Sequence, residues 1–243
     1  MGHKINVFRF DTPINLYPFT DIHIGSKAHE RLLFRKAIQK VQDDPNGYCF
    51  FNGDNVEFIP PDYGISEQGQ EECVNEQIEI FVQLLKDLGP KCLFFRSGNH
   101  EARAYARAGV NLALHISREV KIPYLNVGME EVHIYVKGRK YRIVTSHGDG
   151  GGSKRVLDNM EKTFPAADLY FSGHTHEKYY NDSTMNIDTS SGEEEFRSQI
   201  KMVGGSYLGW ADYARSKSMV PQQPGSFILR LDEESIRVKG VIK

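Results

Sequence analysis

The chain has 243 residues, 30 Lys and Arg against 32 Asp and Glu, and a formal net charge of -2. That balance excludes a global basic field for nucleic acid, while leaving room for a local basic groove. No stretch approaches the roughly 18 uninterrupted apolar residues of a membrane span. Residues 1–10 carry Lys4 and Arg9 without the apolar core of a signal peptide. Three irregularly spaced cysteines, Cys49, Cys73 and Cys92, read as reduced and mostly buried thiols of a cytoplasmic protein.

The predicted elements alternate strand and helix. Ile14–Thr20 is an apolar run that ends at Asp21. Leu33, Phe34, Ala37, Ile38 and Val41 form a helical stripe. Tyr48–Phe51 is a strand ending at Asn52-Gly53-Asp54. Val74, Ile78, Phe81, Leu85 and Leu88 recur at spacings of 4, 3, 4 and 3, the clearest amphipathic helix in the chain, and Gly89-Pro90 stops it. Cys92–Phe95 leads as a strand to Gly98-Asn99-His100. A weaker helical pattern covers Ala102–Glu119, with Gly109 inside it.

Further on, Val132, Ile134 and Val136 alternate, Gly138 turns the chain, and Tyr141–Thr145 returns to His147 as a hairpin. Ser153–Phe164 reads as a helix and Asp168–Phe171 as a strand ending at Gly173-His174. Late strands are expected near Ile200–Val203, Phe227–Leu231 and Ile236–Ile242. Asn181–Glu195 and Ala211–Gly225 read as surface loops. Neither separates domains, so residues 1–243 are taken as one.

Five short pieces carry the chemistry: Asp21-Ile22-His23, Gly53-Asp54-Asn55, Gly98-Asn99-His100-Glu101, His147-Gly148 and Gly173-His174-Thr175-His176. They supply oxygen and imidazole ligands with no thiolate, a set that suits two divalent ions such as Mn²⁺, Fe, Zn²⁺ or Ni²⁺. Each piece follows an apolar run. In layered α/β folds ligands collect beyond the carboxyl ends of strands, so five such ends can converge on one rim.

The order D-x-H, G-D-N, G-N-H-E, H-G, G-H-T-H resembles the calcineurin-like metallophosphoesterase superfamily, in its prokaryotic and phage-type phosphodiesterase or nuclease branch. The resemblance implies an α/β fold, a four-layer αββα sandwich spanning essentially the whole chain. It implies that Asp21, His23 and His176 bind a first metal, that Asp54 bridges, and that Asn99, His147 and His174 bind a second. His100 would stand beside the scissile phosphate as a catalytic group, with Asn99 also contacting substrate; Arg103, two residues after Glu101, is read from its own position as a guanidinium able to hold a phosphate oxygen. The implied cofactors are two divalent ions, Mn²⁺ first, and the implied reaction is phosphoester hydrolysis by metal-activated water. The substrate expected is a diester of DNA, RNA or a nucleotide. A phosphomonoesterase acting on a metabolite or phosphoprotein is the alternative, and a scaffold with an incidental metal site the third option, disfavoured by the intact ligand set.

The chain lacks the Arg of the protein phosphatase motif G-D-x-x-D-R-G, having Gly53-Asp54-Asn55-Val56-Glu57-Phe58 instead. His3, His29, His115 and His133 match no motif and are expected to pack or face solvent. Arg107 is expected on a solvated helix face paired to Glu101. The glycine run after His147 reads equally as a phosphate cradle or a flexible turn. Tyr207, Trp210 and Tyr213 are expected to pack rather than to stack on a base. A homodimer is compatible with the sequence.

Overall fold

In the computed structural model, which describes residues 5–60, 70–148, 152–189, 192–210 and 220–243, the apolar runs pair into two six-stranded sheets. The first runs, edge to edge, β12 (Ile236–Val241), β11 (Phe227–Leu231), β2 (Ile14–Phe19), β3 (Gly47–Asn52), β4 (Cys92–Arg96) and β5 (Tyr124–Leu125). The second runs β1 (Asn6–Phe10), β6 (Glu130–Val136), β7 (Arg139–Ser146), β8 (Leu169–Ser172), β10 (Glu195–Gly204) and β9 (Lys178–Asp188). β2, β3, β4 and β5 are mutually parallel, as are β7 and β8. β2 and β4 are buried along their whole length, as strands covered on both faces must be.

The twofold alternation of side chains divides the core into layers. Phe19, Phe51 and Phe95 face outward onto Phe34 and Ala37 of α1 (Arg31–Asp43), Phe81 and Leu85 of α2 (Val74–Leu88) and Ile116 of α4 (Leu112–Val120). Their neighbours Phe50 and Phe94 face the other way and meet Ile134, Ile143 and Phe171 between the sheets. On the far side Val156, Leu157 and Met160 of α5 (Ser153–Thr163) cover Val144 and Tyr170. The order is helices, sheet, sheet, helix: the αββα sandwich. No helix among the described residues is long and apolar enough to cross a membrane.

Two expectations are corrected. The pattern over Ala102–Glu119 is two helices, α3 (Asn99–Ala108) and α4. Gly109 takes the left-handed conformation (φ 66°) that closes α3, and Asn111 starts α4 by accepting from Leu114 N–H at 3.0 Å. The second concerns Asn181–Glu195. Up to Asp188 it is strand β9, paired antiparallel with β10 from Asp188↔Glu195 to Lys178↔Gly204. β9 is an edge strand with side chains half or fully exposed, so polar residues suit it as well as they suit a loop. Residues 149–151 of the glycine run, and residues 211–219 with Tyr213, lie outside the described residues.

Candidate metal centre

All five motifs lie just beyond the carboxyl end of a strand, four on the following turn and Asn99-His100-Glu101 in the first turn of α3. Asp21 and His23 follow β2, Asp54 follows β3, and Asn99 and His100 follow β4, all in the first sheet. His147 follows β7, and His174 and His176 follow β8, in the second. Backbone hydrogen bonds stitch the turns together. Asp21 N–H donates to Gly53 O (3.0 Å), and Ile22 and His23 N–H both donate to Asp54 O (2.9 and 3.0 Å). Across the sheets, His174 N–H donates to Asp21 Oδ2 (2.9 Å). Asp21, His23, Asp54, His174 and His176 all have positive φ, from 49° to 72°. Such residues cost on the order of 1–3 kcal/mol each and persist only where the surroundings fix them. Packing is correspondingly close: a Cβ on Gly98 would lie 2.1 Å from Asp54 Oδ1, and one on Gly173 2.1 Å from Thr20 Oγ1.

These turns gather the side chains into linked groups. Asp21, His23 and His176 form one, Asp54, His147 and His174 another, and His23, Asp54 and His100 a third between them, with candidate ligand atoms in each within 4.8 Å of one another. Asp54 is central. Its Oδ2 lies 3.1 Å from His147 Nε2, 3.8 Å from His23 Nε2 and 3.9 Å from His100 Nε2, while Oδ1 accepts the His100 backbone N–H at 2.9 Å. His176 Nε2 is 3.4 Å from Asp21 Oδ1. Asn99 Oδ1 meets His174 Nδ1 at 2.8 Å and His147 Nε2 at 3.1 Å. Asp21, His23, Asp54 and His147 are buried, whereas Asn99 is exposed and His100, His174 and His176 are half-buried, so the cluster opens to solvent on one side.

The electrostatics fit a cation site. Burial works against charge on His147, but Asp54 and Asp21 push it up to about 10 from an ordinary 6.5. Burial likewise opposes charge on His23, yet Glu57, Asp54 and Asp21 push it up to about 9. Asp54, against its own burial, is held well below the usual carboxylate range by His147, His100 and His23. Both imidazoles are thus drawn toward the charged form by the buried carboxylates beside them. His23 Nε2 is buried without a hydrogen-bond partner among the described residues, and it belongs to the same group as Asp21 and His176. An orphaned imidazole nitrogen amid carboxylates is what a divalent ion would satisfy.

A pH dependence follows. Below their raised values His23 and His147 are protonated, and a cation must displace those protons to reach the lone pairs. Uptake near pH 8 is therefore expected to release roughly two protons per chain and to weaken as pH falls. Calorimetry of Mn²⁺ binding in buffers of different ionisation enthalpy measures this, and uptake without proton release would contradict it.

Two carboxylates have roles that motif matching missed. Glu101 is buried, and it accepts four backbone N–H groups: Asn55 (2.6 Å) and Val56 (3.1 Å) on Oε1, Gly98 (2.7 Å) and Asp54 (3.2 Å) on Oε2. It ties the Asp54 turn to the start of α3 and does not lie on the solvated helix face expected for it. Glutamate three residues after Gly98, at the third position of a helix, was the available signal. Glu57 Oε2 accepts from His23 Nδ1 at 2.8 Å, and its main-chain oxygen accepts from His100 Nδ1 at 2.5 Å. Its partner is 34 residues away, so only its place three residues after Asp54 could have pointed to it.

Arg103 Nη1 donates to the carbonyls of Glu57 (3.1 Å) and Phe58 (2.9 Å), beside the same segment. Arg107 is exposed. His29 packs against Phe34, and His133 pairs with Glu131 at 2.8 Å. Tyr207 is buried in the core with its hydroxyl 2.8 Å from Ser226 Oγ, as the packing expectation has it, while Trp210 is half exposed. Cys49 and Cys92 are buried thiols, and Cys73 is exposed.

No family model matches the sequence, and no curated protein matches it. Solved structures do. A metallophosphoesterase from Sphaerobacter thermophilus is similar at 12% identity over 95% of this chain and 88% of that one, TM-score 0.48. A calcineurin-like phosphoesterase from Bacillus subtilis is similar at 12% identity over 95% and 89%, TM-score 0.46. Vacuolar protein sorting 29 from Cryptosporidium parvum is similar at 14% identity over 94% and 96%, TM-score 0.46. These likenesses are remote. The chemistry of the site rests on its own geometry.

Proposed function

We propose that this protein is a phosphoesterase dependent on two divalent metal ions, Mn²⁺ foremost, that hydrolyses phosphodiesters of nucleic acid or nucleotides. The observation that carries the proposal is the placement of Asp54 Oδ2 within 4 Å of three imidazoles drawn from both sheets, as a carboxylate serving two cations would be. Asp21, His23 and His176 would hold one ion and Asn99, His147 and His174 the other, with Asp54 common to both. Ions held there would supply Lewis acidity toward phosphoryl oxygens and bring the pKa of water toward neutrality.

The chain's own groups have separate tasks. His100 donates Nδ1–H to Glu57 O, which leaves Nε2 to face the centre. Burial and the neighbouring His23 lower it to about 4, so it rests neutral. An arriving phosphoester brings negative charge beside Nε2, which favours the imidazolium and lets it hand a proton to the departing oxygen. Exposed Arg107 lies on α3, whose first residues are Asn99 and His100, and exposed Lys154 and Arg155 lie at the start of α5, the helix that follows His147 in the chain. Cationic side chains on both helices support an extended polyanionic substrate over a small metabolite.

The test is a substrate screen of the Mn²⁺-loaded protein. Faster cleavage of bis(p-nitrophenyl) phosphate than of p-nitrophenyl phosphate, with cleavage of DNA, RNA or a cyclic or dinucleotide, is expected. Preference for the monoester would favour the phosphomonoesterase. Inertness toward every ester, with partner binding untouched by Asp54→Ala, would favour a scaffold.

A further inference from the structure

We propose that Glu57 is a positioning residue for one cation of the pair: its carboxylate fixes the tautomer and orientation of His23, so that Nε2 is aimed at the ion shared with Asp21 and His176. The assignment rests on the metal centre proposed above and names a group outside its ligand set.

A carboxylate 2.8 Å from His23 Nδ1 can only accept, so Nδ1 carries the hydrogen. Nε2 is then the nitrogen left to ligate an ion once its proton is displaced, and it is the buried nitrogen without a partner among the described residues. His23 has φ 53°, a conformation that leaves its ring to be held by contacts rather than by a regular element. Glu57 is itself well placed to hold it. Its N–H donates to Ile24 O (2.9 Å), Ile24 N–H donates to Asn55 O (2.9 Å), and Ile24 and Val56 form a parallel bridge. On its other side, Phe58 N–H donates to the buried Gln77 Oε1 at 2.9 Å, and Arg103 clasps the two carbonyls. Glu57 therefore stands on fixed backbone one bridge away from the ligand it orients.

The other cluster is supported differently. His147 Nδ1 donates to the main-chain oxygen of Asn52 (2.9 Å), and His174 Nδ1 meets Asn99 Oδ1. Among these contacts, only that of His23 depends on the Glu57 carboxylate. Removing it should therefore weaken one cation and spare the other, because hydrogen bonds behind a ligating imidazole set its ring orientation and basicity.

The experiment is calorimetric titration of Mn²⁺ into the wild type, Glu57→Leu and Glu57→Gln, with circular dichroism to confirm folding. Glu57→Leu is expected to weaken one of two sites by roughly 10–100-fold and leave the other near wild type. Glu57→Gln retains an oxygen that can accept from Nδ1 and is expected to recover part of the loss. Two sites of wild-type affinity in Glu57→Leu would overturn the proposal, as would equal weakening of both. If the wild type took up no Mn²⁺, the phosphoesterase proposal would fall by itself. The contact would then be judged by ¹⁵N-histidine NMR: a protected Nδ1 proton on His23 is expected in the wild type and not in Glu57→Leu. The same proton in Glu57→Leu would overturn it.

Discussion

Asp54→Ala is expected to empty both cation positions and to abolish hydrolysis. The side chain has a contact on every side of the centre: Oδ2 faces His147, His23 and His100, and Oδ1 holds the His100 backbone. Without it neither group keeps a shared anion, and His23 and His147 lose the charge that raises them. Metal analysis should fall from about two Mn²⁺ per chain to near zero, and activity by on the order of 10³-fold or more. The turn itself should survive, because Ile22 and His23 bond to the Asp54 carbonyl and not to its carboxylate. Asp54→Asn is the control, since asparagine tolerates the positive φ better than alanine does. Two tightly bound Mn²⁺ in Asp54→Ala would remove Asp54 from the centre.

His100→Ala should separate chemistry from metal binding. Its ring lies edge-on to His23 with centroids 4.5 Å apart, and its Nδ1 is committed to Glu57 O. Both Mn²⁺ are expected to stay, while kcat falls roughly 10²–10⁴-fold on esters whose alkoxide must be protonated as it leaves. On bis(p-nitrophenyl) phosphate, whose phenolate departs without a proton, the loss should be much smaller. A metal-free His100→Ala protein would show that His100 is a ligand. Equal losses on both kinds of ester would show that it does not protonate the leaving group.

Much of this site is legible in the sequence because each candidate ligand lies within a few residues of the strand that precedes it. Asp21 is two residues past the end of β2, His147 directly follows β7, and a glycine accompanies every turn, so local pattern and site geometry coincide. The layers are legible for a related reason: Phe50-Phe51 and Phe94-Phe95 are runs buried on both faces, as strands between a helical layer and a second sheet must be. What escaped depends on partners distant in sequence. Glu57 has meaning only once β2 and β3 lie side by side and bring His23 to it. β9 is a strand because β10 turns back beside it, and its Asn and Asp residues have no local preference for extended backbone, so its cause is pairing with the next strand and not its own composition.

The division of ligands between the sheets has a thermodynamic consequence. Asp21 and His23 reach out from one sheet and His176 from the other, and Asp54 faces His147 and His174 across the same seam. A cation in either group would clasp two layers otherwise held by packed side chains such as Phe50 and Phe171. Metal affinity and the cohesion of the sandwich would then be one linked quantity: whatever bound the ion more tightly would also hold the sheets together, and removing the metal would loosen the protein.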